Sequence, residues 1–369
     1  MALFLNKIQL TNFRNLERDI VTLSPKINCI FGGNGNGKTN LLEGIHFSLL
    51  GKSFRKGSTF SQMLSINNEN SEISFNLRLD EIRPNSESNP ISLTGKIDQK
   101  GVQKFLNGSP FKGKLDFSAV FIGPFDSYNF HQLAKFRRHW FDHHLGMIDS
   151  QYRLTLKEYQ VALKFRNGLL KKKPSQYRQQ IAAVDPKIAE VTLQLIALKQ
   201  SLLGEINQYC NSTFQKLFSE KHQLTINLES QFVSSDYHEI INALSDNLPI
   251  DEVRGHTTIG AHRDDYLFLF DNFNSYDFCS LGQQKMSYLS LMFAYIELFR
   301  YKCGAYPVVL IDDVSGELDR NRWHQLVKYL ESSQFQVLIT TANEEFLQEL
   351  TRIVDASMIK ISDGGVVTV

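Results

Sequence analysis

The chain has 369 residues, which is enough for about two domains with buried cores. Its 40 basic and 39 acidic residues give a formal net charge of +1, so any surface for nucleic acid must be a local basic patch. The four cysteines have no C-x-x-C spacing, which argues against a zinc site or a disulfide framework. No apolar run approaches the roughly 20 residues of a spanning helix, and the first residues do not form a signal peptide. We therefore expect a soluble, cytoplasmic protein without a membrane partner.

The first elements along the chain predict a phosphate-binding loop. Residues 3–10 alternate imperfectly between apolar and polar types, which favours an opening strand. Apolar residues 27–31 then lead into Gly32-Gly33-Asn34-Gly35-Asn36-Gly37-Lys38-Thr39, and a helical pattern follows from Asn40 to Leu50. The segment fits G-x-x-x-x-G-K-[ST], in which a glycine-rich turn and a helix N-terminus present N–H groups to phosphates. A flexible turn is the alternative.

Each residue type in this loop has a physical role. Lys38 would reach the β- and γ-phosphates of a bound nucleotide, and the Thr39 hydroxyl would bind Mg²⁺. The glycines at positions 32, 35 and 37 would let the backbone curve closely around phosphate oxygens. The sequence therefore predicts a P-loop nucleotidase.

The middle of the chain predicts a small sheet followed by helices. Apolar residues alternate with polar ones from Ile73 to Leu79, shorter runs lie between 91 and 105, and Asn107-Gly108 favours a hairpin turn. We expect a small antiparallel sheet beside the nucleotide site. Between Asp149 and Cys210 the apolar spacing becomes three, four and seven, which predicts an antiparallel helical pair with a basic turn at 171–173. A length of roughly 30–40 Å, at 1.5 Å per residue, excludes a long coiled-coil arm.

The last part of the chain returns to a parallel-sheet pattern. Residues 306–311 and 335–340 are nearly continuous apolar runs, typical of strands buried on both faces, and helical patterns cover 320–332 and 343–353. The first run ends in Asp312-Asp313. Asp312 would hold Mg²⁺, and Asp313 would orient or deprotonate the attacking water. An acidic loop after a buried strand is the alternative.

Ser280-Leu281-Gly282-Gln283 opens an apolar helix and would offer a phosphate its serine cap and helix N-terminus. By itself the segment could be an ordinary N-cap. Together with the P-loop, the acidic pair and Ser315-Gly316-Glu317-Leu318-Asp319, it resembles the signature of ATP-binding-cassette ATPases. In that family the signature of one subunit caps ATP on the P-loop of another. The resemblance implies that Ser280, Gly282 and Gln283 act in trans, in an ATP-dependent homodimer.

Within that superfamily, nearly the whole chain is similar to the RecF family. The resembling segments are the P-loop, Leu10-Thr11-Asn12-Phe13-Arg14-Asn15, Lys52-Ser53-Phe54-Arg55, Phe136-Arg137-Arg138-His139-Trp140-Phe141-Asp142, Lys164-Phe165-Arg166-Asn167, Arg254-Gly255-His256-Thr257, Gly260-Ala261-His262-Arg263-Asp264-Asp265 and Leu310-Ile311-Asp312-Asp313-Val314. The resemblance implies an α/β ATPase head, with a parallel-sheet core and a small antiparallel sheet, and an inserted helical arm. We expect the head halves at 1–125 and 251–369 and the arm at 126–250.

The resemblance also implies a function. RecF-like proteins are slow, Mg²⁺-dependent, DNA-stimulated ATPases that bind double-stranded DNA and gap junctions as ATP-bound dimers and, with RecO and RecR, help load RecA. Carried over, the nucleotide site comprises residues 32–40 including Asn40, the catalytic residues are Lys38 and Asp313, and the metal ligands are Thr39 and Asp312. Asp313 stands where most ATP-binding cassettes have glutamate, so its shorter reach predicts slow hydrolysis. Asp126 stands in the place of a nucleotide-sensing residue.

The expected DNA contacts are basic clusters. The candidates are Arg55, Lys56, Arg137 and Arg138, with Lys52 and the lysines at 171–173 as further basic positions. Solvated faces and internal ion pairs are the alternative for each cluster. His262 and Arg263 belong either to a turn or, by resemblance, to a contact with the nucleotide site.

Other functions share some of these features. A transport ATPase would have a chain of about two-thirds this length with an L-S-G-G-Q signature, and a structural-maintenance ATPase would carry a long coiled coil. A RecF-like defence ATPase would share the motifs without acting in gap repair. A scaffold that binds ATP without hydrolysing it is a non-enzymatic alternative, because closure of a dimer needs only binding energy.

Overall fold

A computed structural model describes residues 2–55, 57–65, 72–82, 90–113, 115, 117–218, 221–314, 318–353 and 355–367. Its strands are β1 (Ala2–Thr11), β2 (Ile20–Thr22), β3 (Ile27–Phe31), β4 (Ile73–Ile82), β5 (Ile91–Asp98), β6 (Gly101–Leu106), β7 (Ser109–Pro110), β8 (Ala119–Ile122), β9 (Leu224–Glu229), β10 (Asp265–Phe270), β11 (Phe273–Asn274), β12 (Val308–Asp312), β13 (Val337–Thr341), β14 (Ser357–Ser362) and β15 (Gly365–Val367). Its helices are α1 (Lys38–Leu50), α2 (Phe60–Met63), α3 (Asp126–Gln132), α4 (Ala134–Ile148), α5 (Ser150–Lys172), α6 (Tyr177–Leu217), α7 (Tyr237–Asp246), α8 (Leu248–Arg254), α9 (Ser275–Phe278), α10 (Leu281–Cys303), α11 (Arg320–Ser332) and α12 (Glu344–Leu350).

The chain divides into two compact units. The head unit consists of Met1–Asp126, Lys216–Phe218 and Phe299–Val369, and the arm unit consists of Ser127–Gln215 and Ser219–Leu298. The first division lies one residue from the expected end of the N-terminal half. The second differs from the expected boundary between 250 and 251, because β10 pairs with β9 and keeps the following residues in the arm unit.

The head unit contains the predicted parallel sheet, with strand order β15-β14-β3-β13-β12-β8. The pairs from β14 to β8 are parallel, and β15 pairs with β14 in the antiparallel sense. Every residue of β12 and β13 is buried, as their continuous apolar runs predict. The P-loop follows β3 and Asp312 ends β12, so the two motifs leave the sheet on either side of β13.

The predicted antiparallel sheet is also present in the head unit, with strand order β2-β1-β4-β5-β6-β7. Asn107 and Gly108 have φ angles of 49° and 81°, which are the left-handed values that the two-residue hairpin turn requires. Buried side chains of this sheet, of α1 and of the parallel sheet form one hydrophobic core. At Gly44 of α1 an added Cβ would lie 2.2 Å from Leu10, so this helix and β1 pack at close range.

The arm unit contains the predicted helical pair, α5 and α6, joined across residues 173–176. The first helix has 23 residues, about 35 Å at 1.5 Å per residue. The second is longer than expected, with 41 residues or about 60 Å, because it continues through Pro186 and beyond the last periodic apolar residues. Within the described ranges, every helix is too short or too polar to cross a bilayer.

Buried ion pairs hold the arm helices together. Arg166 of α5 has no exposed surface, and its guanidinium lies 2.7 Å from Asp185 of α6 and 2.5 Å from Asp251 of α8. It also donates to the Thr257 hydroxyl at 2.9 Å. Nearby, the Lys199 ammonium of α6 lies 2.8 Å from Asp264, just before β10. Two of the segments that resemble RecF, around Arg166 and around Thr257, therefore meet in the interior of this unit.

Candidate nucleotide-binding site

Glycine is required at two positions of the P-loop. Gly32 has a φ of 145°, and an added Cβ would lie 2.1 Å from the Ile361 carbonyl oxygen. Gly37 has a φ of 110°, and its Cβ would lie 2.9 Å from a Leu16 methyl group. Neighbouring segments also fix the loop, since Asn15 donates to the Gly35 carbonyl at 3.0 Å. Gly37 precedes α1 without a side-chain cap, so the helix N-terminus is available to an anion.

The lysine of the P-loop curls back over the loop itself. The Lys38 ammonium donates to the carbonyl oxygens of Gly32 at 2.8 Å and Gly33 at 3.0 Å. Burial lowers the pKa of Lys38 below its ordinary value, and the carboxylates of Asp313 and Asp312 oppose this shift. The loop thus places a positive charge where nucleotide phosphates are expected to bind.

The two predicted magnesium ligands lie together. The Thr39 hydroxyl is 2.9 Å from both carboxylate oxygens of Asp312, and the Thr340 hydroxyl donates to Asp312 at 2.7 Å. Burial raises the pKa of Asp312 above its ordinary value, against the hydrogen bonds from the two threonines. Among the described residues no three His, Cys, Asp or Glu side chains cluster as metal ligands. The residues nevertheless fit Mg²⁺, which needs few protein oxygens when phosphates and water complete its shell.

Asp313 follows at a sharp turn of the backbone. Its φ is 41°, in the left-handed region, and its N–H donates to the Thr340 hydroxyl at 3.0 Å. The side chain is exposed, whereas that of Asp312 is buried. The two adjacent carboxylates therefore have different environments, as their different predicted roles require.

A group of charged residues beside the P-loop had no local sequence signal. Glu43 of α1 is fully buried, and its carboxylate accepts two hydrogen bonds from the Arg14 guanidinium, at 2.7 and 2.9 Å. Ser53 donates to the same carboxylate at 2.6 Å, and Arg55 lies 3.4 Å from it. The resemblance to RecF singled out the segments of Arg14, Ser53 and Arg55 but not Glu43, because the partners come from separate segments of the chain.

Arg55 lies on the nucleotide side of this group. Its guanidinium donates to Asn40 at 2.7 Å, Asn40 donates to Asn15 at 2.6 Å, and Asn15 reaches the P-loop through Gly35. These side chains line a cavity of about 990 Å³. Arg55 therefore lies beside the P-loop, and its contact with DNA stays a prediction. Lys56, the next DNA candidate, lies outside the described residues.

The predicted signature forms a helix cap in the arm unit. The Gln283 N–H donates to the Ser280 hydroxyl at 3.3 Å, and the Ser280 N–H donates to the Gln283 side chain at 2.9 Å. This reciprocal capping box opens α10, as the serine at position 280 predicts. Ser280 is exposed and Gly282 is buried. In the predicted loop after the acidic pair, residues 315–317 lie outside the described residues, and Asp319 caps α11.

The remaining predicted contacts have structural partners. The Asp126 carboxylate accepts from the Gly123 N–H at 2.7 Å, within the turn that starts α3. Arg137 forms two hydrogen bonds with Asp265, at 2.9 and 2.6 Å, and donates to two carbonyls of α3. Arg138 has a longer contact, 3.5 Å to the Asp264 carbonyl. As DNA contacts, both arginines stay predictions, and of the two Arg138 is less engaged.

His262 lies inside the arm unit. Its Nε2 donates to the Thr257 carbonyl at 3.1 Å, so its Nδ1 accepts from the Tyr159 hydroxyl at 2.7 Å. Burial lowers the pKa of His262 to about 4, and Arg263, Arg138 and Lys199 add to the effect. The histidine therefore joins α5 to the segment before β10 in its neutral form.

Comparison with known proteins agrees with the motifs. The family model for the RecF/RecN/SMC N terminal domain matches residues 4–362. A DNA replication and repair protein RecF from Clostridium beijerinckii is 30% identical over 357 residues, covering 94% of each chain. This chain belongs to the RecF family. A RecF from Lactobacillus johnsonii is 28% identical over 364 residues, covering 93% of each chain.

Solved structures confirm the fold. A recombination mediator protein RecF with ATP, from the RecFOR pathway, matches with a TM-score of 0.80 and 26% identity, covering 100% of this chain and 99% of that one. An Smc head domain from Pyrococcus furiosus matches with a TM-score of 0.58 and 16% identity, covering 100% and 96%. The predicted α/β ATPase head and helical arm are thus confirmed as the RecF and SMC-head fold.

Proposed function

We propose that this RecF-family chain is a slow, Mg²⁺-dependent ATPase that closes as a dimer on DNA during recombinational repair. The observation that carries the proposal is the contact between the Thr39 hydroxyl and Asp312, which joins the P-loop to the end of β12. The family relationship and the RecF structure with ATP support the same nucleotide. The protein would act in the cytoplasm, without a membrane partner.

The residues of the site have different roles in binding and hydrolysing ATP. The P-loop N–H groups and Lys38 bind the phosphates, while Thr39 and Asp312 hold Mg²⁺. The metal, when bound, neutralises charge on the β- and γ-phosphates. Asp313 orients the attacking water from the turn after β12. Most related ATPases have a glutamate at this position. The shorter side chain of Asp313 supports slow turnover.

The adjoining cavity suits the rest of the nucleotide. Arg14 and Arg55 supply positive charge, and Asn15 and Asn40 supply amides that join the cavity wall to the P-loop. Glu43 holds both arginines from its buried position, so their guanidinium groups are fixed before a ligand arrives. We assign this cavity to the nucleoside and to the outer phosphate oxygens.

The signature would act on ATP held by a second copy. Ser280, Gly282 and Gln283 stand at the N-terminus of α10, where N–H groups and a partial positive charge favour phosphate. A dimer closed by two ATP molecules would bind double-stranded DNA or a gap junction, and hydrolysis would reopen it. The RecFOR relationship supports RecO and RecR as partners and the loading of RecA as the outcome.

Sedimentation of the purified protein tests this proposal, with and without Mg-ATP and a gapped duplex. The wild type should dimerise on DNA only with ATP. Lys38→Met should abolish nucleotide binding, and Ser280→Arg should retain nucleotide binding but prevent dimerisation. A wild-type monomer that ignores both ATP and DNA would contradict the clamp. The same measurement with RecO and RecR added separates the repair role from the alternative, since dimerisation on DNA without any effect of either protein would favour the related ATPases that act outside gap repair.

A further inference from the structure

A buried histidine contacts the first turn of α10, the helix that begins with the signature. His131 is the penultimate residue of α3 and is 4% exposed. Its Nε2 donates to the Gln284 carbonyl oxygen at 3.0 Å, so its Nδ1 accepts a hydrogen bond from the Ser275 hydroxyl at 3.1 Å. Burial lowers the pKa of His131 to about 4, which keeps the ring neutral with one donor and one acceptor. The ring also packs edge-on against Phe268, at a centroid distance of 5.8 Å.

The residue that His131 contacts, Gln284, connects α9 to the first turn of α10, and we call it the junction. Gln284 follows the signature immediately and is 4% exposed. Its side-chain nitrogen lies 3.2, 3.3 and 3.3 Å from the carbonyl oxygens of Ser275, Tyr276 and Cys279, which fixes the orientation of the amide. Its backbone N–H donates to the Ser280 carbonyl at 2.9 Å. One buried residue therefore bonds to the α9 segment through its side chain and to the start of α10 through its backbone.

The signature adjoins this arrangement in the chain. In the cap, Ser280 is exposed, Gln283 is half-buried, and Gln283 directly precedes the buried Gln284. Hydrogen bonds to a phosphate depend on the direction of the N–H groups, and a small displacement of a binding group can cost much of its effect. Buried polar groups that are hydrogen-bonded on both sides hold their neighbours rigidly.

We propose that His131 is a positioning residue, which through Gln284 and Ser275 orients the signature toward the nucleotide of a second copy. The inference rests on the proposed trans role of the signature. It assigns His131 no contact with ATP, because its ring is buried against α9 and α10. Loss of the histidine should therefore weaken dimerisation and leave nucleotide binding in the head unit of the same chain intact.

The test compares four variants with the wild type. His131→Leu removes both hydrogen bonds, His131→Gln retains one donor and one acceptor, Ser275→Ala removes only the hydroxyl, and Gln284→Leu removes the junction. Ser290→Ala is the matched control, since it deletes a buried hydroxyl of the same helix that bonds to the Met286 carbonyl. The ATP dissociation constant is measured on monomers by titration, and the dimer dissociation constant in Mg-ATP by sedimentation.

Positioning predicts that His131→Leu weakens the nucleotide-dependent dimer at least tenfold and changes monomer ATP affinity less than twofold. His131→Gln should restore much of the loss, and Ser290→Ala should match the wild type. A double variant with His131→Leu and Gln284→Leu should weaken the dimer by less than the product of the two single effects, because both substitutions act through Gln284. Hydrogen exchange should rise in residues 275–287 of His131→Leu and not in α5.

The other outcomes overturn the inference. Variants that dimerise like the wild type would show that the signature does not depend on His131. An equal loss of monomer ATP affinity and dimerisation would indicate general unfolding. A wild type that does not dimerise with ATP would instead contradict the proposed function, and the inference would fall with it.

Discussion

At the scale of single residues, a substitution of Arg55 can distinguish a role in binding nucleotide from a role in binding DNA. Its guanidinium lies 2.7 Å from Asn40 and 3.4 Å from the buried Glu43 carboxylate. Arg55→Ala should weaken ATP binding about tenfold or more, because a charged hydrogen bond contributes about 1.5–3 kcal/mol. Calorimetric titration with ATP measures this, with Lys26→Ala, an exposed lysine of the same unit, as the control. Unchanged ATP affinity with weaker DNA binding would contradict the nucleotide role and support the predicted DNA contact.

His262 makes the stability of the protein depend on pH. Its folded pKa of about 4 lies below its ordinary 6.5, so between these values the unfolded chain binds a proton that the folded chain does not. The stabilisation of the folded chain by neutral His262 is fully present above pH 6.5 and is lost as the pH falls toward 4. From pH 6.5 to 5 the free energy of unfolding should fall by about 2 kcal/mol, at 1.36 kcal/mol per unit.

Urea denaturation at pH 5, 6, 7 and 8 checks this for the wild type and His262→Gln. The glutamine variant should lose less stability on acidification, by about the contribution of one histidine. Comparing the two chains is necessary because His46 and His131 also have pKa values lowered to about 4 by burial. Parallel curves for the two proteins would show that His262 titrates normally.

At the scale of elements, the charge network around Arg166 joins three helices. Arg166→Leu would leave the carboxylates of Asp185 and Asp251 buried without their partner. Breaking a buried pair in this way should lower the free energy of unfolding by about 3–5 kcal/mol. Chemical denaturation measures the loss. Arg178→Leu, which breaks an exposed pair with Glu252, is the control and should have a much smaller effect.

The sequence predicts the elements better than the contacts between them. Strands β12 and β13 and helix α11 were recognisable, because local periodicity reports burial and each motif lies in one short segment. The joining of Thr39 to Asp312 was expected, since both belong to known motifs. The pairing of Arg14 with Glu43, and of His131 with Gln284, was not, because such contacts join residues 29 and 153 positions apart and leave no local pattern. The length of α6 was also missed, because its ends continue beyond the apolar repeat.

At the scale of the whole molecule, DNA binding should depend on salt. Each lysine or arginine that neutralises a phosphate contributes about one to the slope of log affinity against log salt concentration. Arg138→Ala should reduce this slope by about one and leave stability unchanged. Arg137→Ala should instead lower stability, because Asp265 loses its partner. Fluorescence anisotropy of a labelled duplex at several salt concentrations measures the slope, and an unchanged slope in Arg138→Ala would remove that residue from the DNA surface.

Closure and reopening of the dimer should be separable at Asp313. The backbone there has a φ of 41°, which asparagine tolerates as well as aspartate, so Asp313→Asn removes the charge with little strain. In the proposed mechanism, binding energy is enough to close the dimer, and hydrolysis reopens it. The variant should therefore lose ATP turnover, keep ATP-dependent DNA binding and release DNA more slowly than the wild type.

Dissociation of a labelled gapped duplex, after addition of unlabelled competitor in Mg-ATP, measures the release of DNA. The wild type with a non-hydrolysable ATP analogue should match Asp313→Asn in ATP, because both hold the closed dimer. Lys38→Met should show no ATP-dependent retention, since it cannot bind the nucleotide that closes the dimer. If Asp313→Asn loses turnover but releases DNA as fast as the wild type, reopening does not require hydrolysis, and ATP binding alone sets the lifetime of the complex.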